Sequence, residues 1–287
     1  MGDVVAIIAP GEMGAGLGRV LAGRGARVIT TLAGRSATSI ARAERAGIAA
    51  VDSDDRLVAE ADFLLSIVPP GAALDLAQRL APALTRSARK PVYVDCNAIA
   101  PATAARIGAV LAATGCDYVD AGIIGAPPSG SGPGPRLYVS GDAAKRLASL
   151  IERGLEVRVL EGPAGAASAL KMSYAGITKG LTAIGAAMML SATRGGAAAA
   201  LQRELRESQP HLVTWLGRQV PAMFPKAYRW VAEMEEIAAF AEPDAAAAAI
   251  YSAAARLNER LAREAGAPPA DGELAELTRF CRALAER

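Results

Sequence analysis

Val4-Val5-Ala6-Ile7-Ile8-Ala9-Pro10-Gly11-Glu12-Met13-Gly14-Ala15-Gly16-Leu17-Gly18 is the stretch that decides the fold. Its first five residues are apolar and mostly β-branched, the pattern of a strand buried on both faces. The turn that follows puts small residues at Ala9, Gly11 and Gly14, and Met13 to Arg24 then reads as a helix. Strand, glycine turn and helix, in that order, read as a dinucleotide-binding turn, the alternative being a plain tight turn. Gly11 lets the backbone approach a pyrophosphate, which rests on the N-terminus of the helix. Pro10, Gly11, Glu12, Met13 and Gly14 are the candidate contacts, with Ala9 standing where the pattern has its first glycine.

Working outward, Arg27 to Thr31 reads as a second strand, and Gly47 to Ala50, Phe63 to Val68 and Pro91 to Asp95 as further ones. Tyr118 to Asp120, Leu137 to Ser140 and Glu156 to Leu160 complete the set, and helical stretches such as Ser36 to Ala46 and Ala72 to Ala83 lie between. Such alternation predicts βαβ units and a mostly parallel sheet. From Gly165 onward no strand is read. Ala166 to Thr193 is apolar on nearly every face apart from Lys171 and Lys179, and as one helix it spans about 42 Å. Helices over Gly196 to Gln209, His211 to Val220, Arg229 to Ala241, Asp244 to Ala265 and Glu273 to Ala285 follow, punctuated by prolines such as Pro210 and Pro221. The expected fold class is α/β: an N-terminal Rossmann-type doubly wound domain, residues 1–163, then an all-α domain, residues 164–287, entered by a long interdomain helix.

The end of the second strand bears on the cofactor's ribose. An NAD site places Asp or Glu there. Thr31-Leu32-Ala33-Gly34-Arg35-Ser36 has no acid, while Arg35 and Ser36 supply a guanidinium and a hydroxyl for a 2′-phosphate. NADP(H) is therefore expected over NAD(H), the alternative being that Arg35 is a solvated residue at a helix start.

Composition excludes other classes. The chain has 287 residues, 52% of them hydrophobic, so disorder is ruled out. Lys and Arg total 31 against 29 Asp and Glu, which argues against a nucleic-acid partner. Cys96, Cys116 and Cys281 have no CxxC spacing, and no His, Asp or Glu cluster has ligand spacing, so neither a disulfide framework nor a metal site is expected. No targeting signal is read, and the longest apolar run, Leu181 to Ala192, is shorter than a bilayer span. The expectation is a cytoplasmic protein with no membrane partner.

Four segments resemble, in order, the β-hydroxyacid dehydrogenase and 6-phosphogluconate dehydrogenase superfamily. They are Ala9 to Gly14, Ser66-Ile67-Val68-Pro69, Asp95-Cys96-Asn97-Ala98-Ile99-Ala100-Pro101, and Asp120-Ala121-Gly122-Ile123-Ile124-Gly125-Ala126. A fifth, Lys171-Met172-Ser173-Tyr174-Ala175-Gly176-Ile177-Thr178-Lys179-Gly180, resembles the family's interdomain helix. The resemblance implies that Lys171 is the catalytic lysine, that Val68 and Pro69 face the nicotinamide ribose, and that Ile124 and Gly125 lie at the substrate. It also implies a homodimer joined through a divergent C-terminal helical domain. Ala175 stands at the family's Asn, Tyr174 at its His, Thr178 at its acid, and Ile124 at the Ser that holds a substrate carboxylate. A sugar-acid phosphate substrate is disfavoured, and a less anionic or more apolar small molecule is expected.

The residues allow the chemistry. Hydride transfer between an alcohol and a carbonyl needs a group that takes or gives a proton. A lysine desolvated on an apolar helix does either; the alternative for Lys171 is that it reaches a cleft edge or pairs with a carboxylate. Tyr174, on the same helix face, either orients the substrate or merely packs. Asn97 follows a strand at the expected active-site edge and is a candidate near substrate or ribose. Lys179 is expected to form an ordinary ion pair. The Ser129 to Pro135 loop either folds over the substrate or is a plain hairpin. The aromatics Trp215, Phe224, Tyr228, Trp230 and Phe240 line a pocket or form core, and His211 is expected at the surface. An NADP-dependent oxidoreductase of hydroxy acids or related alcohols is the reading preferred over an imine reductase of the same fold, or a catalytically silent dinucleotide-binding protein.

Overall fold

The computed structural model describes residues 3–129, 134–266 and 271–285. Its sheet is built from β1 (Val4–Ile8), β2 (Arg27–Thr31), β3 (Ala49–Val51), β4 (Phe63–Ser66), β5 (Val92–Asp95), β6 (Asp117–Ile124), β7 (Arg136–Ser140) and β8 (Glu156–Val159). The strands lie in the order β3-β2-β1-β4-β5-β6-β7-β8, and every neighbouring pair is parallel except β6 and β7. Between them run α1 (Glu12–Gly23), α2 (Ala37–Arg45), α3 (Asp54–Glu60), α4 (Ala73–Arg86), α5 (Pro101–Ala112) and α6 (Ala148–Glu152). The doubly wound α/β architecture expected from the sequence is present.

Alternation along the strands supplies two cores. On β1, Val5 and Ile7 join Val28, Leu65 and Val94 under Leu17 and Leu21 of α1. Ala6 and Ile8 point the other way, to Ile29, Leu64 and Tyr93 under Leu57, Leu80 and Ile107. With apolar residues on both faces, each strand needs a helix layer on each side, which the crossovers provide.

The remainder is helical: α7 (Ala166–Arg194), α8 (Ala198–Ser208), α9 (Pro210–Met223), α10 (Ala227–Ala241), α11 (Ala245–Ala265) and α12 (Glu273–Ala285). The chain divides into two compact units, Met1–Met172 and Ser173–Arg287, so the first turns of α7, with Lys171, belong to the sheet unit. In the second unit α7 is close-packed through its glycines. A Cβ on Gly176 would stand 3.0 Å from the Tyr251 hydroxyl, and one on Gly185 would stand 2.5 Å from Leu216. Lys179 is paired with Glu233 and lies 4.8 Å from the centre of the Trp230 ring.

Two expectations are corrected. The strand read over Tyr118 to Asp120 continues to Ile124 as β6, because Ala121 to Ile124 are buried and pair with β7. Pro221 does not end its helix: α9 runs through it to Met223, held by the buried Val220 and Met223. No bilayer span was expected, the longest uninterrupted apolar run being Leu181 to Ala192. Among the described residues α7 as a whole is long and apolar enough to cross a membrane by length and composition, with 44% of that stretch buried.

Candidate functional site

The glycine turn is built for an anion. Gly11 caps the N-terminus of α1 with no side chain, so no side chain satisfies the first N–H groups of the helix. A Cβ on Gly11 would meet nothing within 4 Å, so the space above the turn is open. A Cβ on Gly14 would stand 2.2 Å from the Ala9 carbonyl oxygen, so only glycine lets the helix sit this close to the strand. Gly16 and Gly18 repeat the closeness against Pro128 at 2.7 Å and Ile48 at 2.6 Å. Unsatisfied N–H groups, an open approach and the helix dipole fit a pyrophosphate. Pro10 is buried beneath this turn, Glu12 is exposed, and Met13 packs partly on the core.

At the end of β2, Gly34 adopts φ +71°, the left-handed conformation that turns the chain into α2. Arg35 follows, half-buried, and Ser36 caps α2, its Oγ accepting from the Ser39 N–H at 3.3 Å. A second helix start thus stands beside the guanidinium.

The ends of β4 and β5 are tied by Asn97. Its Nδ2 donates to Ser66 Oγ at 2.8 Å, its Oδ1 accepts from the Val68 N–H at 2.6 Å, and its own N–H donates to Asp95 Oδ1 at 2.9 Å. Asn97 is buried and its amide is engaged at both ends, so its visible work is to hold the Val68-Pro69 backbone at the sheet edge. Asp95 lies behind it, buried, with Oδ2 lacking a partner among the described residues. Burial pushes its carboxyl up to about 7, the Asn97 N–H opposes that rise, and the Asp120 charge adds to it.

Lys171 is seated on β6. Its Nζ donates to the Ile123 carbonyl at 2.8 Å, and burial alone lowers its pKa to about 8. Gly122 makes the seat, because a Cβ there would stand 2.9 Å from that of Lys171. One turn earlier the N-terminus of α7 is capped by Asp120. Its Oδ2 accepts from the Gly165 N–H at 2.8 Å and the Ser168 N–H at 3.0 Å, and its Oδ1 from Ser168 Oγ at 2.5 Å.

The structure therefore brings Lys171 and Ile124 onto the same strand–helix junction, and Asn97, Val68 and Pro69 together at the neighbouring strand ends. Ile124 is buried and pairs with Arg136 in the ladder, and Gly125 follows at φ +127°, close against Pro135. Tyr174 lies in the second unit, 49% exposed. Of the Ser129 to Pro135 loop, residues 130–133 lie outside the described residues. Trp215, Phe224, Trp230 and Phe240 are half-buried and Tyr228 is exposed, so none of the five belongs to the fully buried core. His211 is exposed. The three thiols are free and buried, and among the described residues no group of His, Cys, Asp and Glu is arranged to hold a metal. Ser140 and Ser168 were not anticipated; small polar residues inside apolar runs were the signal.

The glycine turn, the strand order and the helix above them agree with one family. A sequence model described as the NAD binding domain of 6-phosphogluconate dehydrogenase matches residues 4–153, more than half of the chain. The chain belongs to that family. A second model, a domain of unknown function (DUF1932), matches residues 192–261. An uncharacterized 28.5 kDa protein of Methanothermus fervidus is 31% identical over 157 residues, which cover 55% of this chain and 58% of that relative. A solved protein of unknown function, MTH1747, reported as similar to 3-hydroxyacid dehydrogenases, is 27% identical over 92% of this chain and 99% of its own, with a TM-score of 0.69. The fold is shared with Mycobacterium tuberculosis 3-hydroxyisobutyrate dehydrogenase, at 20% identity over 99% of both chains and a TM-score of 0.64. It is shared also with an imine reductase of Myxococcus stipitatus, at 22% identity over 98% of this chain and 99% of that one, with a TM-score of 0.59.

Proposed function

We propose that the protein is an NADP-dependent oxidoreductase that interconverts a hydroxy acid or related alcohol with its carbonyl form. Lys171 carries the reading: an amine with a pKa lowered to about 8 stands in the same unit as the uncapped glycine turn. In this reading the pyrophosphate lies on the N–H groups of Glu12, Met13 and Gly14. Arg35 and Ser36 hold the 2′-phosphate, and the Val68-Pro69 backbone, fixed by Asn97, borders the nicotinamide ribose. When bound, the nicotinamide supplies the acceptor or donor of the hydride. Lys171 takes the hydroxyl proton in the oxidation and returns it to the forming alkoxide in the reduction. A lysine near neutrality serves both directions, since each protonation state is populated close to pH 8. Apolar Ile124 beside Gly125 leaves the substrate pocket with little to hold a second anion. The imine reductase reading shares the fold, and Lys171 weighs for the alcohol chemistry instead. Ile177, Leu181, Ile184 and Met188, all exposed along α7, supply the face for a homodimer in the second unit.

The test is NADPH and NADH consumption, and the reverse reactions, against a panel of hydroxy acids, alcohols, carbonyls and imines, with Lys171→Met beside wild type. Turnover on the alcohol–carbonyl arm, lost in Lys171→Met while NADPH still binds, is expected. Turnover on imines alone, or unchanged turnover in the variant, overturns the reading.

A further inference from the structure

We propose that Asp120 is a positioning residue for Lys171: its buried carboxylate fixes the first turn of α7 on β6 and thereby sets where the amine stands. Its consequence for turnover rests on the reading of Lys171 given above; the seating itself rests on geometry.

Asp120 is fully buried, yet its two oxygens receive four donors. Besides Gly165 N–H, Ser168 N–H and Ser168 Oγ, Ser140 Oγ donates to its Oδ2 at 3.0 Å. Ser140 Oγ in turn accepts from the Ala167 N–H at 3.0 Å. The opening N–H groups of α7, which a helix leaves orphaned, are thus met by side chains of the sheet. A carboxylate is the acceptor best suited to this end of a helix.

The contacts continue along β6 in register. Asp120 holds Gly165 and Ser168; Gly122 makes room for the Ala167 carbonyl and the Lys171 Cβ; Ile123 accepts from the Lys171 amine. Alternation puts Asp120 and Gly122 on one face of the strand, and three residues along a helix put Lys171 directly over Ser168. The helix therefore has one seat, with Lys171 at the end of it. No neighbouring charge contributes to the lowered pKa of Lys171, so Asp120 acts through place and not through its field.

The experiment titrates Lys171 itself. The chain's lysines are Lys90, Lys145, Lys171, Lys179 and Lys226, few enough for methylation with carbon-13 formaldehyde and NMR titration, Lys171 being assigned by its loss in Lys171→Met. Wild type should show one amine titrating near 8. Asp120→Asn is nearly isosteric but turns an amide donor toward donors. It should raise the Lys171 pKa by about one unit or more toward the ordinary lysine value, as water reaches a loosened amine. Ser168→Ala, which removes a single donor, should raise it by about half as much. NADPH affinity should stay within about two-fold in both, and kcat should fall with KM little changed. An unmoved Lys171 titration in folded Asp120→Asn, or in Ser168→Ala where Asp120→Asn does not fold, overturns the proposal. A moved titration in a protein that turns over none of the panel upholds the seating and removes the oxidoreductase reading instead.

Discussion

Replacing Lys171 by Met should make the protein more stable at neutral pH and less stable at high pH. Below about pH 8 the lysine is charged in both folded and unfolded chains, and the folded chain bears the full cost of desolvating it. The fall from 10.5 to about 8 corresponds to about 3 kcal/mol. Between those two values the folded protein releases the proton while the unfolded chain keeps it. Stability from this group therefore rises with pH across that window, and above 10.5 the penalty is gone. Met keeps the apolar stem but gives up the hydrogen bond to the Ile123 carbonyl, worth about 1–2 kcal/mol. The net expectation at pH 7 is a gain of about 1–2 kcal/mol, or roughly 2–8 °C in Tm. At pH 10.5 only the lost hydrogen bond remains, and Lys171→Met should be the weaker protein by about 1 kcal/mol. Thermal melts of both proteins from pH 6 to 10.5 follow the crossing. A Tm difference that is constant over that range would refute the buried-ammonium reasoning.

The same titration governs turnover: oxidation should rise as pH passes through about 8 and reduction should fall, and a profile flat from pH 7 to 9 in both directions contradicts it. Arg35→Ala should weaken NADPH binding by about 1.5–3 kcal/mol and leave NADH binding nearly unchanged; tighter NADH than NADPH binding in wild type sinks the assignment. Gly14→Ala drives a Cβ to within 2.2 Å of a backbone oxygen and should lose about 1–3 kcal/mol together with dinucleotide binding, whereas Gly23→Ala, with nothing within 4 Å, should be neutral or stabilising. Ile184→Glu, placed in the exposed stripe of α7, should give a monomer of 29.3 kDa by light scattering where wild type gives twice that mass; a monomeric wild type ends the dimer.

What was legible in the sequence was whatever burial writes as a pattern. β1, β4 and β5 are apolar on both faces and announce themselves, and the glycine turn is legible because Gly14 packs against the strand too closely for any other residue. Lys171 was legible as a charge inside an apolar helix. What escaped depends on partners distant along the chain. α3 is seven residues opening with Asp54-Asp55, too short for a period, and is started by the Ser53 cap. The extension of β6 is decided by β7, which the strand must find across a turn. Asn97 looked like a group offered to a ligand, and only the positions of Ser66 and Val68 show that its amide is already spoken for.

The glycines of α1 have a further consequence, for folding. Gly14, Gly16, Gly18 and Gly23 are four of its 12 residues. Each is less helix-forming than alanine by about 1 kcal/mol, so the segment has roughly 4 kcal/mol of intrinsic resistance to being a helix. As a free peptide it would be a coil. Its helix is held by tertiary packing, where the bare backbone lies against Ala9, Ile48 and Pro128. The N-terminal dipole thus depends on the packing of this helix and is absent from the unfolded chain.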